Sequence, residues 1–169
     1  MPKKKMRLVV WKHCPRNCEG CCNKDYDFSK IPMPMTYKGY DEIILTGGEP
    51  LTNPDVMAVL ADKVRANADP GTRILLYTAV YSIEAHRKVL PHVDGVTITL
   101  HEQADVEPFM FLCHWLRGHR WAYEKSLRLN VFKGIIHPDV CDVFHVKSGI
   151  VWLKDCPLPS GEELMYLGN

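Results

Sequence analysis

The sequence predicts an α/β fold in which the strands of one parallel sheet alternate with helices. Short runs rich in Val, Ile, Leu and Thr recur along the chain, and segments with apolar residues at helical spacing separate most of them. This alternation is typical of right-handed βαβ units, which build parallel sheets. About six strands are too few to close an eight-stranded barrel. We therefore expect an open, partial (β/α)6 barrel that forms a single compact domain over residues 1–169.

The elements before residue 50 surround two unusual loops. The first strand is expected over 7–11, and a cysteine-rich loop over 14–23 follows it. Residues 24–40 contain two prolines and a glycine, which exclude a good helix, so the crossover to the second strand is shortened. The second strand, over 42–46, ends at a glycine-rich turn.

The remaining elements follow at regular intervals. A helix is expected over 54–67, because Asn53 is a good N-cap and Pro54 suits the first helical position. The later elements, in chain order, are a strand at 73–78, a helix at 82–90, a strand at 96–100, a helix at 107–116, a strand at 127–132, a short turn or helix at 138–144, a strand at 149–153 and an antiparallel edge strand at 163–167.

Composition indicates an ordinary soluble globular protein, with 46% hydrophobic and 24% charged residues. A formal net charge of +1 gives no global field that would favour nucleic acid or an anionic membrane as a partner. No apolar stretch is long enough to span a bilayer, and no export signal opens the chain. With seven cysteines and no such signal, we expect free thiols in a reducing cytoplasm.

The strongest functional signal is the spacing of Cys14, Cys18 and Cys21, which are separated by three residues and then by two. Three thiolates this close can surround one metal centre, and they are one ligand short of a closed, all-cysteine iron–sulfur site. A structural zinc site is the alternative, with Cys22 or His13 as a fourth ligand. Adjacent thiolates point apart, so we expect Cys22 to lie beside the site.

Three further cysteines stand alone in the sequence and have no pairing motif. We expect them to pack in the core, and an auxiliary cluster built from scattered cysteines is the alternative. These residues are Cys113, Cys141 and Cys156.

A second motif, the turn Gly47-Gly48-Glu49-Pro50, directly follows the second predicted strand. Glycines at the carboxyl end of a strand let the backbone approach a ligand closely. Glu49 also lies where an acid interacts favourably with a helix N-terminus. Polar residues at or near the ends of the later strands either reach the same ligand or satisfy loops; these are Thr78, Thr99, His101 and Asn130.

Together, the two motifs resemble the radical S-adenosylmethionine (SAM) superfamily over the first third of the chain. The resemblance implies a partial barrel of the radical SAM type, in which Cys14, Cys18 and Cys21 hold a [4Fe–4S] cluster. It also implies that the segment Gly47–Pro50 binds the methionine amine of SAM. In that family, an electron from the cluster cleaves SAM to methionine and a 5′-deoxyadenosyl radical, which abstracts hydrogen from a substrate.

Within that superfamily, the segment 18–24 resembles the activases of anaerobic ribonucleotide reductase. This likeness implies an oxidoreductase that acts on a glycine of a partner protein and receives electrons from a donor. An open site also suits a large substrate. A radical must be shielded from water, and the surface of a large partner can enclose the site where the chain itself does not.

Three alternatives stay open. A compact small-molecule enzyme similar to the 7-carboxy-7-deazaguanine synthases is one, although Cys22 and Asn23 stand where those enzymes commonly carry a threonine. Modification of ribosomal peptides is another, but no peptide-binding domain is recognisable. The third is a non-catalytic iron–sulfur or zinc module, such as an electron carrier.

Overall fold

The computed structural model describes residues 3–168, and its centre is one sheet of seven strands. In chain order the strands are β1 (Lys5–Val9), β2 (Glu42–Thr46), β3 (Arg73–Thr78), β4 (Gly95–Leu100), β5 (Ser126–Phe132), β6 (His145–Ile150) and β7 (Glu162–Tyr166). Their spatial order is β6-β5-β4-β3-β2-β1-β7, and every neighbouring pair is parallel. The α/β class and the parallel sheet are therefore confirmed.

The sheet is open, so the expectation of a partial barrel of the radical SAM type is wrong. Its edges are β6 and β7, and β7 extends the sheet by pairing with β1, with Lys5 opposite Glu162. The last strand was expected to be antiparallel, but it is parallel. Residues 151–161 lead from the carboxyl end of β6 to the amino end of β7 at the opposite edge. We call residues 151–161 the crossing segment.

Within residues 3–168, four α-helices connect or flank the strands: α1 (Cys22–Asp25), α2 (Pro54–Asn67), α3 (Ile83–Val89) and α4 (Val106–Arg117). Helix α2 begins as predicted, because the Asn53 side chain accepts a hydrogen bond from the backbone N–H of Val56. Ser82 caps α3 in the same way, through the N–H of Ala85. Within the described residues, no helix combines the length and apolar character needed to cross a membrane.

The hydrophobic core lies between one face of the sheet and helices α2, α3 and α4. Alternate strand residues such as Leu8, Leu45 and Leu129 are fully buried there, together with Met57 from α2 and Phe109 from α4. Side chains on a strand point alternately to the two faces, so the residues between these must lie on the opposite face.

That opposite face, which we call the polar face, carries Arg7, Thr97, Thr99, Arg128 and Asn130. The three long helices do not pack on it, which is unusual because parallel sheets normally have both faces covered by apolar packing. The crossing segment passes over part of it instead. The fold therefore leaves a polar surface beside the carboxyl ends of the strands.

Most predicted element bounds agree with the structure to within one residue, and two strands differ. The first strand covers Lys5–Val9 rather than 7–11. Between β1 and β2 the only helix is the single turn α1, as the shortened crossover predicted. The sixth strand covers His145–Ile150 rather than 149–153, whereas 138–144 contains a turn, which was one of the two predicted forms. The apolar run at 151–153, which suggested a strand, belongs to the crossing segment and is exposed.

Candidate metal centre

The three spaced cysteines lie in the loop that follows β1. Cys14, Cys18 and Cys21 are free thiols of intermediate burial, and all three line one cavity of about 210 Å³. Two residues in the left-handed region turn the loop, Asn17 at φ 47° and Gly20 at φ 72°. Asn and Gly are the residue types that tolerate this conformation best. The local sequence thus folds the loop so that its thiols face a common space.

These thiols interact electrostatically, which bears on whether a cluster fits. Burial raises the pKa of the Cys21 thiol; the backbone of Asn23 partly offsets this, and the thiolates of Cys18 and Cys14 raise the pKa further. A bound cation centre removes such repulsion between thiolates. The donor set therefore fits a cluster held by three cysteines.

A single-ion zinc site is a different arrangement. Among residues 3–168, no three His, Cys, Asp or Glu side chains come together as a group that could hold one metal ion. A [4Fe–4S] cluster offers a separate iron to each thiolate, so its ligands stand farther apart than the ligands around one ion. The described residues thus do not assemble the ligand set that the zinc alternative needs.

Cys22 is not a free neighbour of the site, because it forms a disulfide with Cys156. Their Cα atoms are 5.6 Å apart, although the residues are separated by 134 positions in the sequence. The expectation of free thiols is wrong for this pair, since the crossing segment brings Cys156 back to the cysteine loop. Cys113 is buried in the core as expected, but Cys141 is exposed, so its predicted core packing is wrong.

The turn after β2 packs directly against the cysteine loop. Gly47 and Gly48 have φ of 81° and 55°, a region that favours glycine. A Cβ atom at Gly48 would overlap the backbone carbonyl of His13, and one at Gly47 would overlap the Val9 side chain. The N–H of Glu49 donates a 2.9 Å hydrogen bond to the same His13 carbonyl. The two motifs thus form one structural unit.

The carboxylate of Glu49 is fully engaged by the protein. It is 2% exposed and accepts hydrogen bonds from the Thr78 hydroxyl at 2.6 Å and from the N–H groups of Leu51 and Ala79 at 2.9 Å each. Burial raises the pKa of Glu49, while these three donors favour its charged form. Glu49 and Thr78 therefore join the ends of β2 and β3 at the floor of the cavity.

The structure brings most of the predicted site residues together. Six line the same cavity as the three cysteines: Gly47, Gly48, Glu49, Thr78, Thr99 and His101. Asn130 lines a larger, adjoining cavity instead. Pro50 lines neither of these two cavities; it is buried at the start of a short 3₁₀ helix, Pro50–Thr52. Direct contact of any of these residues with SAM stays a prediction.

Sequence reasoning missed Arg16, which lies inside the cysteine loop. Its guanidinium donates to both carboxylate oxygens of Asp105, at 2.9 and 2.8 Å, and to the carbonyl of Ala79 at 3.3 Å. Asp105 also accepts a 2.7 Å hydrogen bond from the N–H of His101. The ion pair thus ties the loop to the end of β4. An arginine between two ligand cysteines was the available signal, but nothing in the sequence pointed to its partner.

Sequence reasoning also missed Trp152, which covers the loop from the crossing segment. Its ring lies against Gly20, where any side chain would overlap it, and it stacks on His101 with ring centroids 5.3 Å apart. Burial lowers the pKa of His101 to about 4, and the charge of Arg16 acts in the same direction. At neutral pH the imidazole is therefore uncharged.

Comparison with known families identifies the type of cofactor. The model of the 4Fe-4S single cluster domain matches residues 4–106, which include the three cysteines and the glycine turn. No curated protein matches the sequence at a significant level. Because the matching family is not a radical SAM family, the resemblance drawn from the two motifs is overturned. The iron–sulfur prediction is confirmed, and the chain belongs to the family of 4Fe-4S single cluster domains.

Proposed function

We propose that Cys14, Cys18 and Cys21 hold the [4Fe–4S] cluster and that its fourth iron takes a small-molecule ligand rather than a protein thiolate. The observation that carries this proposal is the Cys22–Cys156 disulfide, which makes the thiol that directly follows Cys21 unavailable as a fourth ligand. The other cavity walls come from the glycine turn and from the ends of β3 and β4. Ligands of parallel α/β sheets commonly bind at this edge.

The chain's own residues would position the loop and its ligand. Arg16 and Asp105 hold the loop against β4, and Gly48 keeps it in contact with the turn after β2. A bound cluster supplies one-electron transfer and an iron that accepts ligand atoms. Trp152 packs against Gly20 and stacks on His101 at one side of the loop.

Narrower forms of this proposal specify the ligand and the reaction. SAM as the ligand, and its cleavage by an electron in an oxidoreductase reaction, are supported by a cavity that joins the cysteines to the glycine turn. An electron donor and a protein or metabolite that gives up hydrogen complete this narrower form. The disulfide is an observation against a strongly reducing compartment.

The test begins with protein reconstituted anaerobically with iron and sulfide. We expect about four irons per chain, and loss of the brown colour when Cys14, Cys18 or Cys21 is replaced by alanine. Cys141→Ala is the matched control, because that cysteine is exposed and lies outside the site. Full iron binding by any of the three ligand variants would contradict the assignment.

The ligand is tested on the reduced cluster by EPR. Adding SAM should change the EPR spectrum if its amine and carboxylate bind the fourth iron, and 5′-deoxyadenosine should form if SAM is cleaved. A changed spectrum without 5′-deoxyadenosine would support ligand binding and reject the cleavage. A spectrum that responds to no amine- or carboxylate-bearing ligand would contradict an open iron.

One observation favours a second candidate, an electron carrier with a closed cluster. The Nδ1 atom of His101 is buried and has no hydrogen-bond partner among the described residues, and His101 lines the cysteine cavity. An imidazole can replace a thiolate on iron. In that case His101→Gln would change the EPR spectrum before any ligand is added. Under the main proposal the spectrum of this variant stays unchanged.

A further inference from the structure

A second cavity, of about 1040 Å³, lies on the polar face next to the cysteine cavity. The sheet forms one wall, and the crossing segment contributes Trp152 and Cys156 to the other. Thr99 and His101 line both cavities, so the two spaces adjoin at the carboxyl ends of the strands. The volume is of the size that small-molecule sites have.

The lining of this cavity is strongly cationic. Among the described residues, four Lys or Arg side chains line it and only one carboxylate does, that of Glu162. Glu162 is already paired with Arg7 at 2.6 Å. The whole chain carries a formal net charge of only +1, so positive charge is concentrated on this face.

Two of these cations have no direct partner. Within residues 3–168, neither Arg128 nor Lys147 forms a hydrogen bond or an ion pair by its side chain, although the charge of Arg128 acts on Glu42 at longer range. The register places Thr97, Arg128 and His145 side by side across β4, β5 and β6. Asn130 and Lys147 form the next pair toward the cluster loop.

Folding stability does not explain this arrangement. Removing an arginine partly from water without a partner costs free energy, and the faces of parallel sheets are usually apolar. A guanidinium offers a planar fork of N–H donors that fits the oxygens of a phosphate or a carboxylate, and an ammonium group adds a second charge. The side chains of Thr97 and Asn130 add neutral donors beside them.

We propose that this cavity binds a small anionic molecule, whose phosphate or carboxylate group is held by Arg128 and Lys147. The rest of the ligand extends past Thr99 toward the cysteine cavity, where Phe132 and Trp152, with ring centroids 4.6 Å apart, provide apolar surface. This inference rests on the proposed function only for the closeness of the ligand to the cluster. The binding of the anion itself does not need the iron.

The crossing segment favours a small molecule over a folded partner. Its disulfide to Cys22 fixes it to the cysteine loop, and its backbone is continuous with β6 and β7 at the two sheet edges. Arg128 and residues of this segment line the same cavity, so a protein surface would meet the segment there, whereas a small molecule fits between them.

The test is isothermal titration of the reconstituted protein with two matched pairs of probes. AMP is compared with adenosine, and benzoate with benzamide, so each anion has a neutral counterpart of similar shape. We expect at least one anion to bind ten-fold or more tightly than its neutral partner, and its affinity to fall as salt is raised, because the attraction is screened. The pair that discriminates identifies phosphate or carboxylate as the group recognised.

Variants locate the anion. Arg128→Gln should weaken binding of the discriminating anion about 10- to 100-fold, which is the range for a lost hydrogen bond to a charged group. Lys147→Gln should weaken it less, because an exposed ammonium is a single point charge. Arg120→Gln and Lys133→Gln remove the same charges from exposed positions outside the cavity and should leave the affinity unchanged.

The outcomes separate this proposal from the one before it. If neither anion binds better than its neutral partner, or if Arg120→Gln weakens binding as much as Arg128→Gln, the cationic cavity is not a binding site. Iron content and thermal unfolding are measured for each variant, and Arg128→Lys provides a charge-retaining variant if the glutamine form unfolds. If the reconstituted wild-type protein holds no iron but still discriminates the anion from its neutral partner, the proposed cluster function fails and the anion site stands.

Discussion

Gly48→Ala tests whether the glycine turn holds the cysteine loop in position or only leaves room for a ligand. Gly48 has φ of 55°, and a methyl group there would overlap the carbonyl oxygen of His13, in the loop that leads to Cys14. That oxygen accepts the N–H of Glu49, so relief of the overlap must move a hydrogen-bonded backbone. We therefore expect both lower stability and lower iron content.

The magnitude has two parts. The left-handed conformation costs an alanine about 1–2 kcal/mol, and overpacking against fixed neighbours costs about 1–3 kcal/mol more. Gly71→Ala is the matched control, because Gly71 has φ of 91° and a Cβ atom there would have no neighbour within 4 Å. It carries a comparable backbone cost without the overlap.

The measurements are the free energy of unfolding in urea and the iron content after reconstitution. Gly48→Ala should be the less stable variant by about 1–3 kcal/mol, and it alone should lose iron. Equal losses of stability in the two variants would refute the bracing role. Normal iron content with weakened ligand binding would show that Gly48 serves the ligand instead.

Three further predictions follow from the same geometry. Cys156→Ser should lower the free energy of unfolding by about 2–4 kcal/mol, measured in denaturant without reductant. The iron content of this variant should not change, and a loss of iron would make the disulfide part of the cluster site. Asp105→Asn should destabilise the protein and reduce its iron content, because Arg16 is only 21% exposed and would lose its charged partner; an unchanged iron content would contradict the loop's dependence on this pair. His86 is fully buried, and burial lowers its pKa to about 4. The unfolded state therefore binds a proton more readily than the folded state. The free energy of unfolding should fall by up to about 3 kcal/mol as the pH drops from about 6.5 to 4. His86→Leu should flatten this dependence, whereas replacement of the exposed His114 by leucine should not.

Much of the fold was readable from local sequence signals. The bounds of β2, α2 and β3 agree with the prediction, because Asn53 caps the helix and glycines or prolines separate the apolar runs. The direction of β7 was not readable, since strand direction depends on where the chain has travelled. The crossing segment carries the chain over the sheet to the edge where β7 pairs. The exposed apolar residues of this segment have the composition of a strand, which led to the wrong prediction at 149–153.

The sequence by itself predicted an iron–sulfur protein and the three cysteines that are candidates to hold the cluster. Cys14, Cys18 and Cys21 lie within one short loop, and side chains that are close in the chain are also close in space, so all three line one cavity. The same reasoning identified the glycine turn, because Gly47 and Gly48 adopt a backbone conformation that few other residues tolerate.

The tertiary structure alone decided what surrounds those cysteines. Cys156 forms a disulfide with Cys22 although 134 positions separate them in the sequence, and Asp105 pairs with Arg16 across 89 positions. Arg128 and Lys147 share one face only because β5 and β6 pair in a particular register, and a shift of one residue would turn them to opposite faces. Such contacts depend on the packing of whole elements, which local propensity and spacing do not specify.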